Sequence, residues 1–305
     1  MSAYPEERVA WEQQVERLRQ ERPTPLRDAW YLLSRNKLAL VGSLLALFFA
    51  LVGLFAPMLE PHSPARQDLF NTFERPFHSW HHVLGTDQLG RDVFSRLLEG
   101  IRISMGVGLL TTLAVLVVGT VAGMVAGYYR GWIDTVINGF VEMVWGFPLI
   151  LVAVIIAGAI GPGLTAVIAA VAFINWAGFA RIVRGEVLAL REKEFVAGAR
   201  ALGKGDVEIM VKHLLPNVIG SALVMGSYYV AVAIIVEAGL SFIGLGAQPP
   251  TASLGQMVAD GRNYLQLDHW IATVPGITIV LVVLSLNLLG DGLRDVLDPR
   301  LKRER

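Results

Sequence analysis

The chain has 305 residues, 54% of them hydrophobic and 17% charged, with mean hydropathy +0.53 and a formal net charge of zero. Soluble domains carry about 25% charged residues, and here the deficit is concentrated. Leu38 to Leu59, Ile103 to Tyr129 and Met143 to Ala180 are runs of 22, 27 and 38 residues without an acidic or basic side chain. This pattern excludes an ordinary soluble domain, a nucleic-acid-binding protein and a disordered chain. With no cysteine, it also excludes disulfides, thiolate metal sites and cysteine nucleophiles.

A bilayer core about 30 Å thick is crossed by about 20 apolar residues in a helix. The sequence therefore predicts an all-α polytopic membrane protein with six transmembrane helices. An N-terminal arm, 1–37, precedes a first span at 38–59, which is too long for a signal-peptide core and is expected to stay as an anchor. A long outer loop, 60–102, follows. A five-helix core over 103–290 then contains spans at 103–128, 138–159, 164–182, 217–237 and 270–290, with a charged segment, 183–216, between the fourth and fifth. Gly161-Pro162-Gly163 divides the 38-residue run, and Pro148 and Pro275 are expected to kink their helices. A tail, 291–305, closes the chain.

Six spans place both termini on one side. The arm, the turn at Arg130, the segment from Arg181 to Lys212 and the tail hold 20 Lys and Arg residues, and the alternate segments hold 6. Positive charge stays inside, so arm, charged segment and tail are expected in the cytoplasm. Gly119, Gly123 and Gly127 recur every fourth residue on one face of span two. That face predicts a close helix–helix contact, within the chain rather than between chains.

Ionisable groups at membrane depth face a cavity or a partner. Glu237 is expected to line a path or support a break in span five, or else to sit wet at its outer end. Glu142 reads as interfacial, and Asn175 and Asn287 as helix–helix hydrogen-bonding groups. Four of the six histidines, His62, His78, His81 and His82, fall in the first outer loop. Their irregular spacing predicts a solvated or packed loop, and no metal ligand is assigned. The phosphate-binding pattern G-x-x-x-x-G-K-[ST] is missing, as are H-E-x-x-H and G-x-S-x-G.

Within the charged segment, Arg184 to Gly203 reads as a helix ended by glycine, and Asp206 as the cap of a second helix ending before Pro216. Small residues at Ala197, Gly198, Ala199 and Ala201 would let another surface approach closely. The alternative is a plain connector lying on the headgroups.

Several motifs resemble one family. Ala197-Gly198-Ala199, three residues, Gly203, nine residues and then His213-Leu214-Leu215-Pro216 is similar to the EAA loop of bacterial ABC importer permeases, whose pattern is E-A-A, three residues, Gly, nine residues, I-x-L-P. Ala199, Gly203, Leu215 and Pro216 match; Ala197 stands in place of Glu, Gly198 of Ala and His213 of Ile. Leu84 to Asp92, with Gly85, Thr86, Asp87, Gly90, Arg91 and Asp92, resembles the outer-loop signature of the C-type permeases of dipeptide, oligopeptide and nickel importers. Glu237 to Gly246, the tail from Gly290 to Arg300, and the arm with its first span are similar to the same subfamily.

The resemblance implies the transmembrane domain of a type I ABC importer in a bacterial or archaeal inner membrane. It implies a homologous B-type permease, two ABC ATPase subunits and an extracytoplasmic solute-binding protein as partners. ATP and Mg would belong to the ATPases and no cofactor to this chain, which is not itself an enzyme. Ala197, Gly198, Ala199, Gly203, Leu215 and Pro216 would couple to an ATPase. A path for di- or oligopeptides, or else for nickel or another small solute, would run between the permeases, with Glu237, Tyr228 and Asn287 as candidate lining residues. A stand-alone secondary transporter should show an internal repeat and several deep charges, and neither is evident. A membrane-embedded enzyme should show a catalytic constellation within a span, and none is evident.

Overall fold

A computed structural model describes residues 36–297; most of the arm and residues 298–305 of the tail lie outside the described residues. Within them the chain is helical, with one isolated antiparallel bridge, Thr86 to Asp92. The helices are α1 (Lys37–Leu59), α2 (Val93–Tyr129), α3 (Gly131–Trp145), α4 (Leu149–Ile160), α5 (Leu164–Arg191), α6 (Glu194–Ala201), α7 (Asp206–Phe242), α8 (Leu254–Gly261) and α9 (Trp270–Leu297). Five of them, α1, α2, α5, α7 and α9, are long and apolar enough to cross a membrane, and α3 with α4 makes a sixth only as a bent pair.

That pair corrects the predicted third span. Instead of one kinked helix over 138–159, α3 begins at Gly131 and meets α4 at a bend of 88°. Phe147 precedes a proline, which disfavours the helical region, and Pro148 sits extended at φ −61°, ψ 131°. The helix therefore stops rather than kinks. Pro275, in contrast, lies inside the continuous α9.

Two more boundaries move because freedom from charge measures the apolar segment, not the helix. α2 starts at Val93, ten residues before the predicted span, capped by Asp92, whose carboxylate accepts from the Ser95 backbone N–H at 2.8 Å. α9 continues past Gly290 into the predicted tail.

The charged segment also differs from expectation. α5 runs to Arg191 and a break at Glu192–Lys193 separates it from α6, where one helix from Arg184 to Gly203 is expected. Gly205 caps α7, so Asp206 lies in its first turn, not at its cap. α7 does not end before Pro216. A π turn over Met210–Leu214 carries it into the span. Proline removes one backbone donor and its ring crowds the preceding turn. The wider π turn ahead of Pro216 falls where that crowding would otherwise interrupt the helix.

α2 is the hub. It contacts α1, α3, α5 and α7, and α9 packs on α1, α7 and α8. Its glycine face meets α5. A Cβ on Gly119 would lie 2.9 Å from the Trp176 carbonyl oxygen, on Gly123 2.5 Å from that of Ala180, and on Gly127 2.9 Å from that of Arg184. The contact is intramolecular and leaves no room for a methyl. Gly123→Ala is expected to destabilise the chain by about 1–3 kcal/mol through overpacking. Gly106→Ala, on the same helix but with open space around its Cβ, should be neutral. Denaturation of the two purified variants in detergent measures the difference, and equal stabilities would refute the close contact.

Candidate functional site

The segment between α5 and α7 is built as a rigid base with an exposed crown. Val196 and Ala199 of α6 and Ile209, Met210 and Leu214 of α7 are buried in one cluster with Val183 and Val187 of α5 and Met124 and Tyr128 of α2. Burying one face of so short a helix fixes its direction. The opposite face is left outward: Ala197, Gly198, Ala201 and Gly203 are exposed, Leu202 is 81% exposed and Val207 65%. Ala199 belongs to the buried base, Leu215 is half-buried and Pro216 exposed. Gly203 holds φ +75°, while its N–H donates to the Arg200 carbonyl and that of Lys204 to Ala199. A left-handed residue closing α6 in this way turns the chain toward α7.

Polar contacts that the sequence reading missed fasten this base. The Tyr128 hydroxyl donates to Asp206 at 2.6 Å, joining the end of α2 to the start of α7. The Arg200 guanidinium lies over the Tyr128 ring, 5.2 Å from its centroid, and Arg191 donates to the Tyr128 carbonyl. Arg184 of α5 grips Asp134 of α3 through two bonds of 2.6 and 2.7 Å. Such forked ion pairs fix orientation as well as charge. Ser221 of α7 donates to Glu186 of α5 at 2.6 Å. α2, α3 and α7 are thus each tied to this end of α5 by a polar contact.

The first-loop signature folds into a second polar centre. Asp87, Arg91 and Arg96 are buried. Arg91 Nε donates to Asp87 at 2.7 Å, Arg91 also reaches Asp260 of α8 at 3.3 Å, and Arg96 lies 3.5 and 3.6 Å from the same two carboxylates. Asp87 additionally accepts from the backbone N–H groups of Leu89 and Arg91. Gly85 and Gly90 have φ +75° and +70°, and a Cβ on Gly90 would lie 1.8 Å from the Asp68 carbonyl oxygen. Thr86 is buried and donates to the Asn71 carbonyl at 2.5 Å. Asp92 is likewise buried. Farther out in the loop, the Asn71 amide and the Phe70 N–H hold the Asp68 carboxyl below its usual range.

The three candidate path residues separate. Glu237 is fully buried on α7; Ser104 of α2 donates to it at 3.0 Å and Ser241 at 2.7 Å. Ser241 in turn accepts from the Ala247 N–H at 3.1 Å. Of the readings open for Glu237, the wet one fails, and the carboxylate braces the chain where α7 gives way to the loop before α8. In this conformation Glu237 faces hydroxyls rather than open space. Tyr228 and Asn287 do meet, on the wall of a cavity of about 370 Å³ between α7 and α9 that Asp291 and Arg294 also line. Asn287 is exposed there, and Asn175 donates to the Val171 carbonyl of its own helix. Among the described residues, neither makes the helix–helix bond expected of it. Glu142 is exposed.

Known proteins match this chain over most of its length. The family described as binding-protein-dependent transport system inner membrane component matches residues 119–303. The N-terminal TM domain of oligopeptide transport permease C matches residues 24–76. The dipeptide transport system permease protein DppC of Alkalihalophilus pseudofirmus is 40% identical over 279 residues, 92% of this chain and 91% of that protein. The glutathione transport system permease protein GsiD of Escherichia coli O157:H7 is 39% identical over 280 residues, 92% of each. Among solved structures, the inward-facing MetNI methionine ABC transporter shares the fold. Its TM-score is 0.55 at 19% identity, covering 67% of this chain and 97% of that one.

Proposed function

The chain belongs to the binding-protein-dependent transport system inner membrane components, and from that membership we propose that it is the C-type permease subunit of an ATP-driven importer of di- or oligopeptides. The observation that carries the peptide assignment is the similarity to dipeptide and glutathione permeases along 92% of the chain. As a multi-pass membrane permease it is a transport component and not an enzyme. ATP and Mg belong, in this reading, to two ABC ATPase subunits. A B-type permease completes the path, and an extracytoplasmic solute-binding protein delivers the peptide. Both termini lie in the cytoplasm, which the distribution of Lys and Arg supports.

Coupling follows from the crown between α5 and α7. Ala197, Gly198 and Gly203 let a partner surface approach the backbone, and the apolar side chains of Leu202 and Val207 stand out from it. These two side chains offer a partner apolar surface to bury. The ATPase groove receives this crown. Closure of the ATPases on ATP then moves a base already locked to α2, α5 and α7, and so shifts the population of inward- and outward-open states. Tyr228 and Asn287 line part of the path on the cytoplasmic half of α7 and α9. Pro216 and Leu215 join the moving base to the span.

The test is co-purification with the second permease and the ATPases encoded beside it, followed by ATP hydrolysis in lipid vesicles. A peptide-loaded binding protein is expected to stimulate hydrolysis. Stimulation by a nickel chelate instead would redirect the substrate class. A chain that purifies alone and transports without ATP would overturn the proposal in favour of a secondary transporter.

A further inference from the structure

The first loop carries a cluster that neither the coupling crown nor the ion-paired signature explains. His62, just beyond α1, His82 of the loop and Asp92, the cap of α2, each offer one ligand atom, and these atoms lie within 4.8 Å of one another. The two imidazoles are 4.9 Å apart at their centroids, and His82 Nδ1 sits 3.0 Å from Asp92 Oδ1. Asp92 uses its other oxygen, Oδ2, for the Ser95 N–H and hydroxyl, so the side-chain partner of Oδ1 is His82 Nδ1, and a cation seated between the two would replace that hydrogen bond. Ser95 also accepts from the His62 backbone N–H at 3.2 Å. One serine thus fixes two of the three segments that bear the cluster.

Within this set His62 Nδ1 is buried and has no hydrogen-bond partner among the described residues. A buried polar atom left unpaired is costly, and in a native structure it asks for an explanation such as a bound ion. The cluster opens on a cavity of about 350 Å³. Asp68, Glu74 and Asp92 set three carboxylates on its wall against the single guanidinium of Arg66, and His81 lines it too.

We propose that His62, His82 and Asp92 form a binding site for a divalent transition ion of the zinc type, which clamps the first loop and the end of α1 onto the head of α2. Two imidazoles and one carboxylate suit zinc and its neighbours and are a poor set for magnesium or calcium. Tetrahedral ligands at zinc distances lie about 3.3 Å from each other. The His82–Asp92 pair is near that separation already, and the His62 ring closes the rest by rotation without breaking a hydrogen bond at Nδ1. Three protein ligands leave a fourth position for water or for His81. Spacing alone hides the site: the two histidines are twenty residues apart, and the carboxylate follows the second by ten.

The test uses the full chain purified in detergent with a tag free of histidine, stripped with chelator and titrated with Zn2+ and Co2+. Wild type is expected to take up one Zn2+ per chain, to show the visible absorption of tetrahedral Co2+, and to melt at a higher temperature with metal than without. His62→Ala with His82→Ala should weaken binding more than about tenfold and abolish the Co2+ spectrum and the thermal gain. His269→Ala, at the start of α9, should keep all three. Binding that is equal in wild type and the double variant, or a wild type that takes up no stoichiometric metal, overturns the site. Both alanine variants leave the Asp92 cap of α2 in place, so the chain retains its local fold when the metal is lost.

Discussion

Importers assembled with Gly203→Pro are expected to lose peptide uptake, by at least about a hundredfold, while the chain still inserts and still binds its partners' membrane domains. Gly203 holds φ +75°, whereas proline is fixed near −65° and has no N–H to give to Arg200. The turn between α6 and α7 must therefore be rebuilt. α6 is short, and its buried face is keyed to Val183, Val187 and Leu214, so a rebuilt turn redirects the crown while leaving the spans unchanged. ATP hydrolysis should persist and no longer respond to a loaded binding protein. Gly203→Asn tests the cause, since asparagine tolerates the left-handed region and open space surrounds the position. It should keep most of the uptake. Uptake measured in vesicles beside hydrolysis separates the two quantities. Normal uptake by the proline variant would remove the coupling role from this turn.

Asp87→Ala is expected to destabilise the chain by about 3–5 kcal/mol, the range for breaking a buried ion pair from one side. The loss comes less from the missing attraction than from Arg91 and Arg96, whose side chains are 7% and 2% exposed and would share only Asp260. Asp87→Asn keeps the acceptor for the Leu89 and Arg91 backbone donors and loses the charge, so it should fall between alanine and wild type. Denaturant titration of the three chains in detergent gives the order. A change below about 1 kcal/mol for alanine would mean that water screens this cluster as it screens surface pairs.

The number and rough place of the spans were legible because lipid demands long charge-free runs, and Leu38 to Leu59 or Ile103 to Tyr129 satisfy that demand in plain sight. The glycine face of α2 was legible for a similar local reason, since a repeat of four puts Gly119, Gly123 and Gly127 on one stripe. The break at Gly146–Pro148 was not, because a stop and a kink at proline carry the same residues within the same apolar run. Asp206 read as a cap because a cap is what an aspartate does locally; its true partner, Tyr128, lies 78 positions back. The signature around Asp87 was legible as a motif through resemblance. Its pairing with Asp260 and the meeting of His62 with His82 belong to the folded loop, and no local periodicity announces them.

The pairing of Arg91 with Asp260 sets an order on biogenesis. A ribosome delivers Asp87, Arg91 and Arg96 together, early, and they can begin with one carboxylate between two guanidiniums. The second carboxylate follows 169 residues after Arg91, by which time α2, α5 and α7 have all been threaded into the bilayer. Until then the two guanidiniums share the Asp87 carboxylate without their second partner. Arrival of α8 brings Asp260 to both arginines. α8 therefore acts as the latch for the first loop, and a chain halted before Leu254 would lack the carboxylate that closes it.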